Sequence, residues 1–220
     1  MALRYQTVLF DLDGTLIDSQ KDIIAAVRHG LSQTGIDDPL DPEDILGHVG
    51  KPLDEVLKGL GYHLSEPDVQ RFITAFRNFY ARHFQDNIRL YPHVIEVLKR
   101  LRAAGVRTGI VTTKMQNQAE LVAQATGVSA LVDHIHGWTE GRQHKPNPEP
   151  VLTALRALGA EPTGSLMVGD AEVDILAARA AGLDTCAVTW GYRPAPYLNS
   201  FRPDYLIADL RDLVPIVIAG

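Results

Sequence analysis

Val8-Leu9-Phe10-Asp11-Leu12-Asp13-Gly14-Thr15-Leu16-Ile17-Asp18-Ser19 carries the strongest structural signal in the chain. Its apolar start, Val8 to Phe10, runs into two aspartates, a glycine and a threonine. A short apolar run bounded by turn residues reads as a buried strand of a parallel sheet. Asp11 and Asp13 stand two positions apart at the strand's C-terminal end, and in extended backbone that spacing puts both side chains on one face. Gly14 lets the chain turn away at once. Two carboxylates forced together repel each other unless a cation or a shared proton relieves them. The pair therefore asks for a Mg2+ ion, for acid–base work, or for both.

The segment that follows reads as helical. Ser19 or Asp18 can cap a helix with Ile23, Ile24, Val27 and Leu31 at helical spacing, ending near Gly35. Short helices fit residues 41–49 and 52–60, with a loop over 47–52. A longer helix starts near Glu66-Pro67, with Val69, Phe72, Ile73, Phe76 and Tyr80 on one stripe. No strand pattern occurs between about residue 18 and residue 87, where alternating strands and helices would soon need one. The expected organisation is a helical insertion over residues 15–87, with residues 1–14 and 88–220 forming an α/β core.

From Asn87 onward strands and helices alternate. Pro92 opens a helix to about Gly105, with Val94, Val97, Leu98 and Leu101 as its core stripe. Strands are expected over 107–113, 133–138, 165–169, 185–190 and 205–207. Helices are expected over 116–126 and 172–181 and at the C-terminus, and another is capped by Asn147, opened by Pro148 and stopped at Gly159. Such alternation implies a doubly wound parallel sheet covered by helices on both faces.

Composition narrows the function. The 220 residues suit one domain with a large insertion, or two small domains. A net charge of −6 without any lysine or arginine block argues against nucleic acid and against an anionic membrane as partners. It does not forbid a phosphorylated substrate, because a metal ion and one lysine can reverse the sign locally. Cys186, the single cysteine, lies in an apolar run and reads as a small buried hydrophobe. No signal pattern precedes the first strand and no apolar stretch reaches spanning length, so a soluble cytoplasmic protein is expected.

Ligands of an open parallel sheet bind at the strands' C-terminal ends. Asp11 and Asp13 end the first strand, Thr112 and Thr113 the strand over 107–113, and Asp170 that over 165–169, while Lys145 sits in a loop before a helix. Each piece alone has an ordinary reading. Aspartates and glycines are common in turns, and Asp170 and Asp174 suit a helix N-terminus. Lys114 and Lys145 read individually as solvated surface charges. An EF-hand is excluded by the spacing of its glycine and glutamate.

Together the pieces resemble the haloacid dehalogenase-like superfamily of phosphotransferases. The motifs are Asp11-Leu12-Asp13-Gly14-Thr15, Thr112 within Val111-Thr112-Thr113-Lys114, Lys145, and Gly169-Asp170 with Asp174. The resemblance implies that Asp11 is the nucleophile that forms an aspartyl-phosphate, and that Asp13 is the acid and base. It implies Mg2+ held by the Asp11 carboxylate, the Asp13 backbone carbonyl and Asp170, with Asp174 bridged or behind. Thr112 and Lys145 would bind the transferring phosphoryl group, with Gly14 and Thr15 in support. The helical insertion would be a cap that closes over the site.

Within the superfamily the chain is most similar to the phosphoglycolate phosphatase group, through segments 48–57, 145–152, 167–170, 175–182 and 190–194. That implies hydrolysis of a small phosphorylated metabolite, first 2-phosphoglycolate, by a monomer or homodimer. Thr113 stands where the group commonly has asparagine, and the Val111–Lys114 segment is also reminiscent of related pyrophosphatases. Pyrophosphate or a broader set of phosphomonoesters is thus the alternative. His48 and Lys51 could reach an anionic leaving group. A haloacid dehalogenase needs neither Mg2+ nor Asp13. A β-phosphoglucomutase-like isomerase would keep every motif. A phospho-receiver domain needs only about half this length and lacks the insertion.

Overall fold

Val8, Leu9 and Phe10 are wholly buried at the centre of a six-stranded sheet. The structure is a computed structural model and describes residues 2–37 and 39–219. Met1, Asp38 and Gly220, which the expected domain ranges include, lie outside the described residues. In chain order the elements are β1 (Ala2–Leu3), β2 (Thr7–Phe10), β3 (Ile17–Asp18), α1 (Gln20–Ser32), α2 (Pro42–Leu46), α3 (Leu53–Gly59), α4 (Glu66–His83) and β4 (Arg89–Leu90). There follow α5 (Val94–Ala103), β5 (Arg107–Met115), α6 (Gln116–Ala125), β6 (His134–Trp138), α7 (Glu149–Leu158), β7 (Ser165–Gly169) and α8 (Glu172–Ala180). The chain ends with β8 (Asp184–Val188), α9 (Ala195–Ser200), β9 (Tyr205–Ile207), α10 (Leu213–Val217) and β10 (Ile218–Ala219).

The large sheet has the order β6-β5-β2-β7-β8-β9, and all its pairings are parallel. The chain winds from β2 out through β5 to β6, then crosses to β7 on the other side of β2. Strand β2 is therefore the switch point, where the crevice for a ligand opens. Val8 and Phe10 pack in one hydrophobic cluster with α5 and α10, and Leu9 packs in a second with α7 and α8. Both faces of β2 are buried, which is why its pattern is a continuous apolar run. Each of these side chains contributes about 1.5–3 kcal/mol by leaving water.

Between β3 and β4 the described residues form the helices α1 to α4 and no strand. The chain enters and leaves this helical segment through the antiparallel pair β3–β4, in which Ile17 faces Leu90 and Asp18 faces Arg89. The apolar stripe of α4 packs on α1, and Gly30 makes the approach possible: a Cβ there would stand 2.7 Å from the Phe72 ring.

Several boundaries differ from expectation, three of them for a visible tertiary or backbone reason. Helix α5 starts at Val94 because His93, with φ 66°, turns the chain first. Strand β5 runs on to Met115 through a register shift between Val111 and Met115, where the Thr112–Lys114 segment lies. Such irregularities re-aim side chains at a strand end. Strand β8 stops at Val188, before the expected Trp190, and the chain then turns toward the loop after β2, where Trp190 Nε1 donates to the Thr15 carbonyl at 3.1 Å. A Cβ at Gly191 would overlap the Asp170 side chain, and this close approach brings the Tyr192 N–H to Asp170.

Candidate active site

Asp11 follows the last residue of β2, and its N–H still donates to the Val168 carbonyl at 2.9 Å. Its carboxylate is thus fixed at the sheet edge, at the switch point. Gly14 adopts φ +81° and its N–H donates to the Ile17 carbonyl at 2.8 Å, which closes the turn after the two aspartates. A Cβ at Gly14 would overlap the Asp170 carboxylate, so glycine is needed here for space as well as for its backbone angle.

Lys145 is not a solvated charge: it is 2 % exposed. Its Nζ donates to Asp11 Oδ1 at 2.7 Å, to Asp174 Oδ1 at 2.5 Å and to the Val111 carbonyl at 2.7 Å. An ammonium has three donors, and all three are used. Burial alone would lower the lysine's pKa; Asp11 and Asp174 reverse that and hold it above its ordinary value. Lys114 is not a solvated surface charge either: its side chain is 8 % exposed. Its Nζ lies 3.1 Å from Asp13 Oδ2 and donates to the Tyr80 hydroxyl of α4 at 2.9 Å.

Asp13 accepts from the Ser19 hydroxyl at 2.5 Å through its other oxygen. Ser19 therefore does not cap α1 with its side chain; Asp18 Oδ1 accepts from the Gln20 N–H at 3.2 Å instead. Asp170 is held by the Thr15 hydroxyl at 3.2 Å and by the Tyr192 N–H at 2.8 Å. The Thr15 hydroxyl is thus engaged by a carboxylate. Thr112 and Thr113 line the small crevice with Asp11, Asp13, Lys145, Asp170 and Asp174.

Asp11, Asp170 and Asp174 offer carboxylate oxygens that all lie within 4.8 Å of one another. Burial pushes the Asp11 carboxyl well above its ordinary pKa; Lys145 opposes this, while Asp174 and Asp170 add to it. Burial, and then the Asp174 charge, push Asp170 up to about 7. A hard, all-oxygen set of crowded carboxylates fits Mg2+, whose charge would relieve their mutual repulsion. Asp174 has its oxygens engaged by Lys145 and by the Ala171 N–H at 3.1 Å, so it serves here to hold Lys145.

These shifts carry a consequence for stability. Folded-state values raised above the unfolded carboxylate value of about 4 favour folding at low pH, and that contribution is lost as pH rises toward about 7. The metal-free protein should therefore lose stability over this window, and bound Mg2+ should restore it. We expect the gain in Tm from Mg2+ over EDTA to be about 5 °C larger near pH 8 than near pH 5. A gain that does not change with pH would contradict the carboxylate crowding.

Residues 8–188 match the family of haloacid dehalogenase-like hydrolases. The chain belongs to this family. Pyrophosphatase PpaX of Oceanobacillus iheyensis is 36% identical over 212 residues, 96% of each chain. Pyrophosphatase PpaX of Bacillus velezensis is 35% identical over 213 residues, 97% of this chain and 96% of its own. A crystal structure from Haemophilus somnus 129PT, described as a predicted phosphoglycolate phosphatase, superposes with a TM-score of 0.86 at 26% identity, over 98% of this chain and 99% of that one. A haloacid dehalogenase-like family hydrolase from Streptococcus pneumoniae gives a TM-score of 0.86 at 26% identity, over 97% and 98%.

In this hydrolase the helical segment is tied to the sheet by a residue whose role the sequence did not suggest. Arg193 donates to Glu172 at 3.0 Å and to the carbonyls of Leu46 and Val49 at 2.5 and 2.8 Å. Lys51 adds a 3.5 Å contact to the same glutamate and lines a larger cavity that adjoins the crevice at Asp13. His48 packs against Gly59, where a Cβ would overlap its ring, and it lines neither the crevice nor that cavity. Ser19, Lys114 and Tyr192 are neighbours of Asp13 and Asp170 to which the motifs assign no role at the site. Their sequence signal is position within the quoted segments, which does not distinguish them from other residues there. Among the described residues no helix is long and apolar enough to cross a membrane.

Proposed function

We propose that this hydrolase is a Mg2+-dependent phosphohydrolase that forms an aspartyl-phosphate on Asp11, with inorganic pyrophosphate as its preferred substrate. The observation that carries the reaction class is Asp11 at the switch point, bonded to Lys145 and facing a crevice that also holds Asp13 and the carboxylates fit for a metal. The substrate choice is supported by whole-chain identity to the pyrophosphatases and by Thr113. A second reading, 2-phosphoglycolate, is favoured by the likeness to the Haemophilus structure.

Asp11 would attack phosphorus in line; the P–O bond to the leaving group breaks as Asp13 donates a proton to the leaving oxygen. Asp13 then takes a proton from water, which displaces Asp11 and releases phosphate. Lys145 and Thr112 would hold the transferring oxygens, and Lys145 also fixes the Asp11 carboxylate. Mg2+, held by Asp11 and Asp170, would screen the nucleophile from the charge it approaches. The helices α1 to α4, as a cap over residues 15–87, would exclude water while closed.

The test is phosphate release from pyrophosphate, 2-phosphoglycolate, sugar phosphates and nucleoside monophosphates, with Mg2+ and with EDTA. We expect the highest kcat/KM on pyrophosphate and a reversible loss in EDTA. A higher value on 2-phosphoglycolate would favour the second reading. Full turnover in EDTA would remove the metal.

A further inference from the structure

We infer that Lys114 and Arg77 form the leaving-group subsite and select substrates whose departing fragment carries its own negative charge. The inference rests on the phosphohydrolase reading above and names the residues that would set its substrate class. Beyond Asp13 the crevice opens into a cavity of 320 Å³ lined by residues of α1 to α4 and by the ends of β5 and β6. Lys51, Arg77 and Lys114 bring positive charge to that cavity. Lys51 is engaged by Glu172. Asp54 and Glu140 lie at the rim, the first paired with Lys58 at 3.3 Å and the second exposed.

Lys114 has one carboxylate partner, Asp13, and two uncharged contacts from Tyr80: the hydroxyl, and the ring face 4.2 Å from its Nζ. Both oxygens of Asp13 are occupied, one by Ser19 and one by Lys114. Each carboxylate oxygen can accept twice, so a leaving oxygen can reach Asp13 Oδ2, and there it stands beside the Lys114 ammonium. That ammonium, with a side chain 8 % exposed and one carboxylate partner, favours a second anion beside it, because a poorly paired charge in such a site is costly. A departing phosphate or carboxylate supplies one; a departing neutral alcohol does not. The contact that favours an anionic leaving group thus lies next to the acid that must protonate it.

Arg77 adds a second cation. It lies three residues before Tyr80 on α4, so both stand on one helix face. Its guanidinium sits over the Trp138 ring, 5.5 Å from the centroid, and among the described residues it makes no ion pair. An anion between Lys114 of β5 and Arg77 of α4 would bridge the sheet and the helical segment.

The experiment measures kcat and KM for wild type, Lys114→Met, Lys114→Arg and Arg77→Met, with Mg2+. The substrates are pyrophosphate and 2-phosphoglycolate, with anionic leaving groups, and ethyl phosphate and glycerol 1-phosphate, whose leaving groups are neutral alcohols. We expect Lys114→Met to lower the ratio of kcat/KM between the first pair and the second by about 30-fold, mainly through KM, as the loss of one charge-assisted hydrogen bond would. Lys114→Arg should recover part of that ratio. Arg77→Met, a change on a partly exposed helix face, should lower it about tenfold and decides the matter alone if Lys114→Met does not fold. Equal losses on both substrate pairs would make these cations structural and overturn the inference. No phosphate release by wild type from any of the four would overturn the phosphohydrolase reading, and the inference with it.

Discussion

Asp11→Asn should lower turnover by about five orders of magnitude while leaving the fold intact. The carboxamide is nearly isosteric and its oxygen can still accept from Lys145, which keeps two further acceptors in Asp174 and the Val111 carbonyl. What is lost is the anionic oxygen that would attack phosphorus. Folding has little to lose, because the Lys145 ammonium keeps Asp174 as a charged partner at 2.5 Å. The check is single-turnover phosphate release beside a thermal melt, with mass spectrometry to exclude deamidation back to aspartate. Turnover near the wild-type level in intact Asp11→Asn protein would sink the nucleophile assignment.

Lys145→Met should damage both activity and stability, and the two losses have one cause. Removing the ammonium leaves Asp11 and Asp174 as buried carboxylates without their cation and the Val111 carbonyl without its donor. Breaking a buried pair in this way costs about 3–5 kcal/mol, whereas a substituted surface lysine changes stability by less than about 0.5 kcal/mol. Turnover should fall by about a thousandfold, the scale of losing a charged contact to a reacting oxyanion. Urea denaturation with and without Mg2+ reads the first effect, and Mg2+ should restore part of the stability by supplying positive charge to the same carboxylates. A stability change near zero would mean that Lys145 is not the three-bond clamp described above.

The architecture was legible because the relevant signals are local. An apolar run ending in a turn, as at Val8–Gly14, constrains its own backbone whatever surrounds it, and alternation with helical stripes implies parallel crossovers. The segment from Gln20 to His83 was readable as helical for the same reason. Boundaries slipped where a tertiary contact overrode propensity: at Gly191, drawn in against Asp170, and at the β5 irregularity, where Thr112 to Lys114 meet the crevice.

The site was legible as a set of strand-end residues and no further. Asp11 and Asp13 are neighbours in sequence, so their pairing follows from extended backbone. Lys145 reaches Asp11 across 134 positions and Tyr80 reaches Lys114 across 34. Nothing local separates such lysines from solvated ones. Burial, partner and charge state depend on the strand order that places β2 between β5 and β7, and on the helices laid over its end. The chain's own pattern thus determined which residues stand at the sheet's edge. The tertiary structure decided which of them are desolvated against one another, because electrostatic coupling depends on distance and burial, not on sequence separation.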